Sequence, residues 1–400
     1  MEPRYGKNIY LVAPVRTPIG KFGGQLSGLS APELGAVAAR ACLERAGVPP
    51  DQVDEVIFGH GRQAGTGPNP ARQIAHKSGC PETVPAYTVN KACASGMKAI
   101  VNAFQSIALG DADLILAGGT ESMSNTPYLL PNARWGHKFG HTELVDGMYR
   151  DGFLCPLCGE LMGATAENLA EKYGLSRQEA DEYALQSQTR AREAVEAGRF
   201  QDEIVPVEVP ARKGETVLVA SDEHPRPQTT LEGLAKLKPV FRQNGTVHAG
   251  NASGITDGAA AVLVASENKV KELDLRPLAR ILDYSVAGVD PAFMGIGPVP
   301  SVRKLLVRNR LELTDVDLVE LNEAFAVQVL ACHKELGFDF DRLNVNGGAI
   351  ALGHPIGCTG TRIVVTLTHE MQKRQAKLGL ATLCVSGGMG MSLLVEAVTV

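Results

Sequence analysis

The sequence predicts an α/β protein built from two similar halves, with a less regular region between them. Short apolar segments of strand type alternate with segments whose apolar residues recur every three or four positions, as in helices. Two pairs of segments from the two ends of the chain resemble each other in the same order. An irregular stretch, about residues 122–251, separates them. Strands that alternate with helices indicate a parallel or mixed sheet covered by helices.

The first half begins with a predicted strand and continues as alternating helices and strands. Ser30 and Glu33 form a capping-box pattern at the start of the first helix, and Gly47 ends that helix. Gly118 and Gly119 predict a turn after the last strand of this half. The predicted elements are strand Asn8–Val15, helix Ala31–Ala46, strand Val53–Phe58, helix Ala71–Ser78, strand Val84–Val89, a helix after Cys93 and strand Asp113–Ala117.

The second half repeats part of this pattern. QVDEVIFGH (52–60) resembles DVDLVELNE (315–323), and ALGDADLILAGGTESMS (108–124) resembles KLGLATLCVSGGMGMSL (377–393). The members of the two pairs start 263 and 269 residues apart (52 to 315 and 108 to 377). This regularity indicates an ancient internal duplication. Because ligands of α/β sheets bind outside the carboxyl ends of the strands, the glycine-rich loops at those ends are the places to search for a site.

Composition and charge exclude several classes of protein. The chain has 400 residues, an apolar share of 44% and a charged share of 21%, as in ordinary globular proteins of two or three domains. A net charge of −5 argues against nucleic-acid binding. Eight cysteines, with no cleavable leader visible, predict reduced thiols and a cytoplasmic location. Glycines divide the apolar stretch Leu378–Val395, which favours two buried strands over a membrane span.

The stretch NKACASGMKAI (90–100) places Cys93 among small residues, between a strand pattern and a helix pattern. The apolar residues from Met97 to Ile107 have helical spacing. Unpaired N–H groups at a helix N-terminus favour an anion there, and they lower the pKa of a cysteine by about one to several units. The same groups can hold an oxyanion. Cys93 is therefore a candidate nucleophile; the alternative is a buried cysteine that serves as a small apolar residue.

Three more polar residues follow predicted strands of the second half. Asn322 lies in NEAF (322–325), His354 in NGGAIALGHPIGCTG (346–360) and Cys384 in CVSGGMG (384–390). Each has a structural alternative: Asn322 as the cap of a helix that begins near Glu323, His354 as a satisfied loop histidine, Cys384 as core. Together with Cys93, they provide a thiol nucleophile, a base, a second acid or base, and oxyanion donors.

These motifs resemble those of the thiolases, in the same order and over the full length of the chain. NASGITDGAAA (251–261) and MGATAENLA (162–170) match the family as well. The resemblance implies a duplicated five-layer αβαβα fold with an inserted loop domain. The chain would then divide into an N-terminal α/β half (1–121 and 252–275), an inserted loop domain (122–251) and a C-terminal α/β half (276–400).

The resemblance also implies acyl transfer on coenzyme A thioesters. The reactions would be the thiolytic cleavage of 3-ketoacyl-CoA, including acetoacetyl-CoA, and the reverse Claisen condensation. Cys93 would carry the acyl group, and His354 would accept its proton and then help to hold the thioester oxyanion. Cys384 would exchange a proton with the acetyl-CoA carbon. Asn322 would hold the water that completes one oxyanion hole, and the backbone N–H groups of Cys93 and of the Cys384 loop would form a second.

Coenzyme A enters this reaction as a substrate, and the resemblance implies no metal or other cofactor. Ser253 would touch the pantetheine arm, Arg226 would lie near the nucleotide, and Met162 belongs to a matching motif at the substrate. The expected partners are acyl-CoA and coenzyme A, without nucleic acid or membrane. Family members are dimers or tetramers, so we expect a homo-oligomer, a homotetramer by preference, that acts in fatty acid metabolism.

Three positions depart from the family pattern. Leu161 replaces a histidine found in acetoacetyl-CoA thiolases, which makes the acyl pocket less polar and argues against strict short-chain specificity. Gly233 replaces a serine that meets the ligand in many members. Ser386 replaces a glycine after the second cysteine, but its backbone N–H is retained.

Two functions other than thiolase activity, and one motif that could bind a metal, remain as alternatives. A decarboxylating ketoacyl-synthase-like enzyme would carry a second histidine or an asparagine in place of Cys384. A non-catalytic thiolase-like acyl-CoA-binding subunit is disfavoured because all four catalytic positions are filled. Cys155 and Cys158 form a CxxC motif, but a structural zinc site needs four ligands and the sequence shows no second pair.

Overall fold

The computed structural model describes residues 1–211 and 214–398. Its strands are β1 (Ile9–Arg16), β2 (Gly20–Lys21), β3 (Glu55–His60), β4 (Ala86–Val89), β5 (Leu114–Ser122), β6 (Tyr128–Leu129), β7 (Val145–Asp146), β8 (Val207–Pro210), β9 (Thr216–Val219), β10 (Thr256–Ser266), β11 (Pro277–Gly288), β12 (Leu318–Leu321), β13 (Leu378–Val385) and β14 (Met389–Ala397). Its α-helices are α1 (Ala31–Ala46), α2 (Pro70–Lys77), α3 (Ser95–Leu109), α4 (Met162–Tyr173), α5 (Arg177–Glu196), α6 (Leu231–Ala235), α7 (Glu267–Glu272), α8 (Pro298–Asn309), α9 (Ala326–Leu336), α10 (Ala349–Leu352) and α11 (Ile356–Arg374).

The duplication predicted from the repeat is present in the sheet topology. In the first half β3 pairs in parallel with β5, which pairs antiparallel with β10, which pairs antiparallel with β1. In the second half β12, β13, β14 and β11 pair in the same sequence of directions. The two sets meet where β1 pairs antiparallel with β11. The continuous order is β12-β13-β14-β11-β1-β10-β5-β3-β4.

Helices cover this sheet in the predicted five-layer αβαβα order. The capped helix α1 has the predicted bounds and packs with α2 on the outside of the first half. Helices α8 and α9 cover the second half, and α3 and α11 lie between the two sets of strands. The apolar face of α3 is buried there, with Met97, Ile100 and Phe104 fully enclosed. The helical spacing read from the sequence therefore identified a face of the central layer.

The middle helices approach each other and the sheet at glycines. A Cβ at Gly360 would overlap the backbone N of Met97, and one at Gly119 would overlap the carbonyl of Gly357. The predicted turn at Gly118 and Gly119 is therefore wrong, since both residues lie inside β5. Gly119 lacks a side chain because α11 lies directly against it, whereas a Cβ at Gly118 would overlap the Ala260 carbonyl and the Phe58 ring.

The equivalent glycines of the second half do form a turn. Gly387 and Gly388 have φ of +84° and +83° and connect β13 to β14. In the first half, the place of this short turn between β5 and β10 is taken by residues 123–255. This segment contains α4, α5 and α6, and it packs against α9 and α10. The apolar stretch Leu378–Val395 forms two buried strands as predicted, and no helix in the described ranges has the length and apolarity needed to cross a bilayer.

Candidate active site

A cavity of about 560 Å³ collects most of the residues that the sequence singled out. Cys93 follows β4, Cys384 lies near the end of β13, and His354 precedes α11; all three line the cavity. The predicted substrate-binding residues line it too, namely Met162, Arg226 and Ser253. Asn322 does not line the cavity but lies behind His354, with its Nδ2 at 3.5 Å from the imidazole Nε2.

Cys93 is presented by a strained turn. Ala92 has φ +45°, in the left-handed region that residues with a Cβ seldom adopt. Asn90 Oδ1 accepts a hydrogen bond from Ala92 N at 3.0 Å, and Ser95 Oγ donates to Ala92 O at 2.7 Å. Ser95 Oγ also accepts from Lys91 N at 2.8 Å. Two side chains therefore hold the turn that places the Cys93 thiol in the cavity.

The environment of Cys93 differs from the sequence expectation. The thiol precedes α3 by two residues, and burial raises its pKa above the ordinary value. The backbone N–H of Ser386, the guanidinium of Arg62 and the N–H of Cys93 itself act in the opposite direction, but burial dominates. The predicted lowering of the Cys93 pKa is therefore wrong, and the thiol needs a base to ionise.

Cys384 is fully buried, and its pKa is raised well above the ordinary value. Burial is the main cause, followed by electrostatic interaction with Cys93 and then Cys332. A thiol in this setting keeps its proton at neutral pH. It can therefore act as a proton donor to a carbanion formed in the same cavity.

His354 is neutral, and its neighbours determine which nitrogen carries the proton. Burial, with the nearby Arg362 and Arg62, lowers its pKa to about 3. Thr359 Oγ1 lies 3.0 Å from the carbonyl of Pro355, which can only accept, and 2.6 Å from His354 Nδ1. The hydroxyl proton goes to the carbonyl, so Nδ1–H donates to Thr359 Oγ1. Nε2 is left unprotonated, as a base requires.

The NEAF motif holds Asn322 beside this histidine. The structure rejects Asn322 as a helix cap, because α9 begins at Ala326 and Phe325 precedes it as the cap residue. The Asn322 Oδ1 is buried without a hydrogen-bond partner among the described residues. The neighbouring Glu323 carboxylate accepts hydrogen bonds of 2.7–3.1 Å from four donors: Tyr183 Oη, Ser187 Oγ, Asn344 Nδ2 and Ile350 N. Glu323 thereby fixes the loop that carries Asn322.

The loop with Ser253 is tied to the same motif. Ser253 N donates to Ala324 O at 3.0 Å, and Ala326 N donates to Asn251 O at 2.9 Å. On the other side, Asp181 Oδ1 lies 2.7 Å from His248 Nε2 and accepts from Asn251 Nδ2 at 2.9 Å. The inserted region and the second half therefore hold one wall of the cavity together.

The comparisons with known proteins agree with this geometry. Residues 9–268 match the family Thiolase, N-terminal domain, and residues 275–397 match Thiolase, C-terminal domain. The acetyl-CoA acetyltransferase of Pseudomonas aeruginosa is 56% identical over 97% of this chain and 98% of its own length. That of Cupriavidus necator is 53% identical over 97% of this chain and 99% of its own.

The chain belongs to the thiolase family.

Solved structures of thiolases have the same fold. The acetyl-CoA acetyltransferase of Bacillus anthracis superposes with a TM-score of 0.96 at 48% identity, covering 98% of this chain and 99% of that one. The human mitochondrial 3-ketoacyl-CoA thiolase in complex with CoA gives 0.95 at 45% identity, with 98% of each chain covered. The thiolase fold predicted from the sequence is confirmed.

The departures of this thiolase from the family pattern fall in different places. Leu161 lines the large cavity, next to Met162. Gly233 lies on a neighbouring cavity of about 230 Å³ that shares His224 and Arg226 with the large one. Ser386 lines the large cavity, and its backbone N–H acts to lower the pKa of the Cys93 thiol, as expected of a donor from this loop.

Sequence reasoning missed several residues of this thiolase cavity. His224 lines it, with Nδ1 at 2.8 Å from Ala351 O, and Arg62 lines it on another side. His224 stands in a polar loop without a motif. Arg62 belongs to the run GHGRQAG, whose place in the repeat pointed to a strand end but not to a side chain.

The competing cysteines lie outside the cavity lining. Cys155 and Cys158 occupy a tight loop in which Cys155 N donates to Glu160 O and Gly159 N to Cys155 O, both at 2.8 Å. Hydrogen bonding lowers the pKa of Cys155 despite partial desolvation, and the donors include the N–H of Gly387. Among the described residues no group of three or more His, Cys, Asp or Glu side chains is placed to hold a metal ion.

Proposed function

We propose that this chain is a thiolase that cleaves 3-ketoacyl-CoA, including acetoacetyl-CoA, with coenzyme A, and that catalyses the reverse condensation. One observation carries the proposal: two free thiols, Cys93 and Cys384, line one cavity with a neutral histidine. The relatives reported above are named acetyl-CoA acetyltransferase and 3-ketoacyl-CoA thiolase, and both names describe acyl transfer that involves coenzyme A. No observation favours a decarboxylating synthase or a non-catalytic subunit.

In the first half-reaction, Cys93 passes its proton to His354 Nε2 and attacks the 3-keto carbon of the substrate. The bond between C2 and C3 breaks, and the acyl group stays on Cys93 as a thioester. The departing acetyl-CoA carbanion takes a proton from Cys384. The proton that His354 took from Cys93 then restores the Cys384 thiol through solvent in the cavity. In the second half-reaction, coenzyme A passes its thiol proton to His354 Nε2 and attacks the acyl-Cys93 thioester. The shortened acyl-CoA is released, and Cys93 regains its proton from His354.

Negative charge forms on a carbonyl oxygen in both half-reactions, and each oxygen needs donors. The N–H groups of Cys93 and Ser386 form one oxyanion hole, and the lowering effect of both groups on the pKa of the Cys93 thiol supports this role. His354, once protonated, and a water molecule held by Asn322 form the other; the buried, unpartnered Oδ1 of Asn322 supports this role. Loss of one such donor typically costs about 3 kcal/mol of transition-state stabilisation.

Coenzyme A binds along the wall formed by the inserted region. Ser253 contacts the pantetheine arm, Met162 borders the acyl group, and Arg226 lies toward the nucleotide. The position of Arg226 on both the large and the neighbouring cavity supports this direction. These roles assume the proposed division of the chain into an N-terminal α/β half (1–121 and 252–275), an inserted loop domain (122–251) and a C-terminal α/β half (276–400).

We further infer a homo-oligomer, a dimer or a tetramer, in the cytoplasm. All eight cysteines are free, as in a reducing compartment. The segment 128–144 exposes several large apolar side chains, among them Trp135 and Phe139, which are 82% and 101% exposed. Such a patch is typical of an assembly interface. Light scattering of the purified chain determines the number of subunits.

The test of the activity is the coenzyme A-dependent loss of acetoacetyl-CoA, followed by the absorbance of its enolate. We expect wild-type activity and none in Cys93→Ala. Cys93→Ala removes a single sulfur atom, so we expect its thermal unfolding curve to match that of the wild type. Matching curves show that a loss of activity is not caused by unfolding. Undiminished activity of Cys93→Ala contradicts the proposal.

A further inference from the structure

Arg62 is a cation at the catalytic cavity whose guanidinium has no hydrogen-bonding or ion-pair partner among the described residues. It follows β3, is only 6% exposed, and lines the cavity together with Cys93. Its Nε is buried without a hydrogen bond, and in the described parts of the chain its side chain forms no ion pair. A guanidinium taken out of water without a counter-ion is costly, so a buried arginine normally faces a carboxylate or phosphate.

The Glu121 carboxylate, which interacts electrostatically with Arg62, is already bound by other donors. Glu121 accepts hydrogen bonds from the backbone N–H groups of Gly61, Arg62 and Gly357 at 2.8–3.1 Å, and its Oε1 lies 3.0 Å from His60 Nε2. These contacts occupy both carboxylate oxygens. The Glu121 carboxylate therefore binds the backbone of Arg62 and interacts with its guanidinium only electrostatically, without a side-chain hydrogen bond or ion pair between them.

The neighbours of Arg62 leave room for the guanidinium. A Cβ at Gly152 would overlap the guanidinium, so the glycine provides the space that it occupies. The ring of Phe153 lies 5.8 Å from Cζ, within the range of a cation–π contact. Tyr149, one helical turn earlier in the chain, also lines the cavity. Arg62 is therefore held at the cavity wall by a glycine and an aromatic ring.

The charge of the cavity favours an anion as the missing partner. Its permanently charged lining residues are Lys21, Arg62 and Arg226, its other ionisable residues are histidines, cysteines and Tyr149, and none of the described lining residues is an aspartate or a glutamate. Arg226 borders the neighbouring cavity proposed for the nucleotide side, whereas Arg62 does not. Arg62 lines the large cavity with Cys93 and Leu161 and acts electrostatically on Cys93 and His354, so we place its anion on the acyl side of the ligand.

We propose that Arg62 binds a carboxylate at the far end of the acyl chain, so that this enzyme cleaves 3-oxoacyl-CoA esters of dicarboxylic acids. The inference rests on the proposed function and names its substrate class. Arginine suits the role because its planar fork of donors matches a carboxylate and stays charged. The apolar Leu161 and Met162 then border the methylene groups between the thioester and the charged end.

A matched pair of substrates tests this. 3-Oxohexanoyl-CoA and 3-oxohexanedioyl-CoA have the same chain length and differ in a methyl or a carboxylate end. We expect wild-type kcat/KM to be at least about tenfold higher for the carboxylate substrate, as one good charge-assisted contact provides. Arg62→Gln should lower this ratio at least tenfold, and Arg62→Lys should retain part of it.

The ratio separates substrate binding from an effect of Arg62 on Cys93. A change in the reactivity of Cys93 alters kcat/KM for both substrates equally and leaves their ratio unchanged. An unchanged ratio in Arg62→Gln therefore overturns the inference. A wild-type preference for the substrate with the methyl end overturns it as well. If Arg62→Gln is inactive, calorimetric titration with hexanoyl-CoA and hexanedioyl-CoA in a Cys93→Ala background, with and without Arg62→Gln, provides the same ratio from Kd values, because these esters cannot acylate the protein without Cys93. Wild-type protein without acetoacetyl-CoA thiolysis would contradict the proposed function itself.

Discussion

The hydroxyl of Thr359 lies between the imidazole of His354 and the carbonyl of Pro355. This arrangement makes Nδ1 the protonated nitrogen and leaves Nε2 unprotonated, as the base that we propose. Thr359 does not line the cavity and acts on the reaction only through the histidine, so it is a positioning residue. Its role depends on hydrogen-bond direction, which a sequence motif does not contain.

Thr359→Val keeps the shape of the side chain and removes the hydroxyl. We expect kcat to fall about tenfold, the value of one hydrogen bond, while KM changes little, because substrate does not touch this residue. Thr359→Ser restores the hydroxyl and should restore kcat. Equal losses in the valine and serine variants would indicate packing rather than orientation of the imidazole.

The ionisation of Cys93 predicts a characteristic pH dependence. Burial raises its thiol pKa above the ordinary value, so the thiolate is a minor species at neutral pH and increases as pH rises. We expect alkylation of Cys93 by iodoacetamide to accelerate continuously from pH 6 to beyond pH 9. His354, with a pKa of about 3, contributes no inflection near 6.5. A plateau reached by pH 7 would show a lowered thiol pKa instead. Cys93→Ser provides the background rate.

Among individual residues, those in motifs were the ones that the sequence could indicate. Cys93, His354 and Cys384 stand in runs of small residues and glycines, and the structure places them on one cavity. Cys93 and Cys384 lie at strand ends as predicted, but His354 lies between α10 and α11. Arg62 and His224 have no such signal, because their importance depends on what lies opposite them in space. The pKa of Cys93 was predicted in the wrong direction because the sequence reveals a helix start but not the depth of burial.

At the level of elements, identical dipeptides have different structures in the two halves. Gly118–Gly119 lies within β5, whereas Gly387–Gly388 turns the chain between β13 and β14. The two copies differ in the next segment of the chain, since one continues into the inserted region and the other returns at once as β14. A glycine pair is compatible with both outcomes, so only the tertiary contacts decide. The helix bounds were predictable where a capping box and a glycine mark both ends, as in α1.

Two buried ion pairs of one arginine connect the inserted region to β1. Arg16 is completely buried, and its guanidinium contacts Glu203 at 2.6 Å and Asp222 at 2.7 Å. Both carboxylates belong to the inserted region. Arg16→Leu leaves them buried without a counter-charge, and we expect the free energy of unfolding to fall by about 3–5 kcal/mol.

Chemical denaturation of Arg16→Leu and of a surface control, Arg150→Leu, measures this effect. Arg150 is exposed and its ion pair with Asp151 is weak, at 3.8 Å, so its variant should unfold like wild type within about 0.5 kcal/mol. A loss in Arg16→Leu no larger than in the control would show that this ion pair does not stabilise the fold.

At the scale of the molecule, the cavity combines residues from every part of the chain. Cys93 comes from the first half, His354 and Cys384 from the second, and Met162 and Arg226 from the segment between β5 and β10. The duplicated topology explains how two strand ends meet at one place, and the inserted segment supplies the wall on which we place coenzyme A. The repeat predicted the duplication, and the family resemblance predicted the five layers; the contacts of the inserted region were not predictable, because its sequence has no equivalent in the other half.

The most direct test of the proposed chemistry is the mass of the intact protein after incubation with acetyl-CoA alone. Acetyl transfer to Cys93 releases coenzyme A and forms no carbanion, so it needs Cys93 and His354 but not the proton of Cys384. We expect one acetyl group in wild type and in Cys384→Ala, located on the peptide with Cys93, and none in Cys93→Ala, with thiolysis of acetoacetyl-CoA lost in both variants. An acetyl group that persists in Cys93→Ala, or that is found on Cys384, would contradict the assignment of Cys93 as the nucleophile.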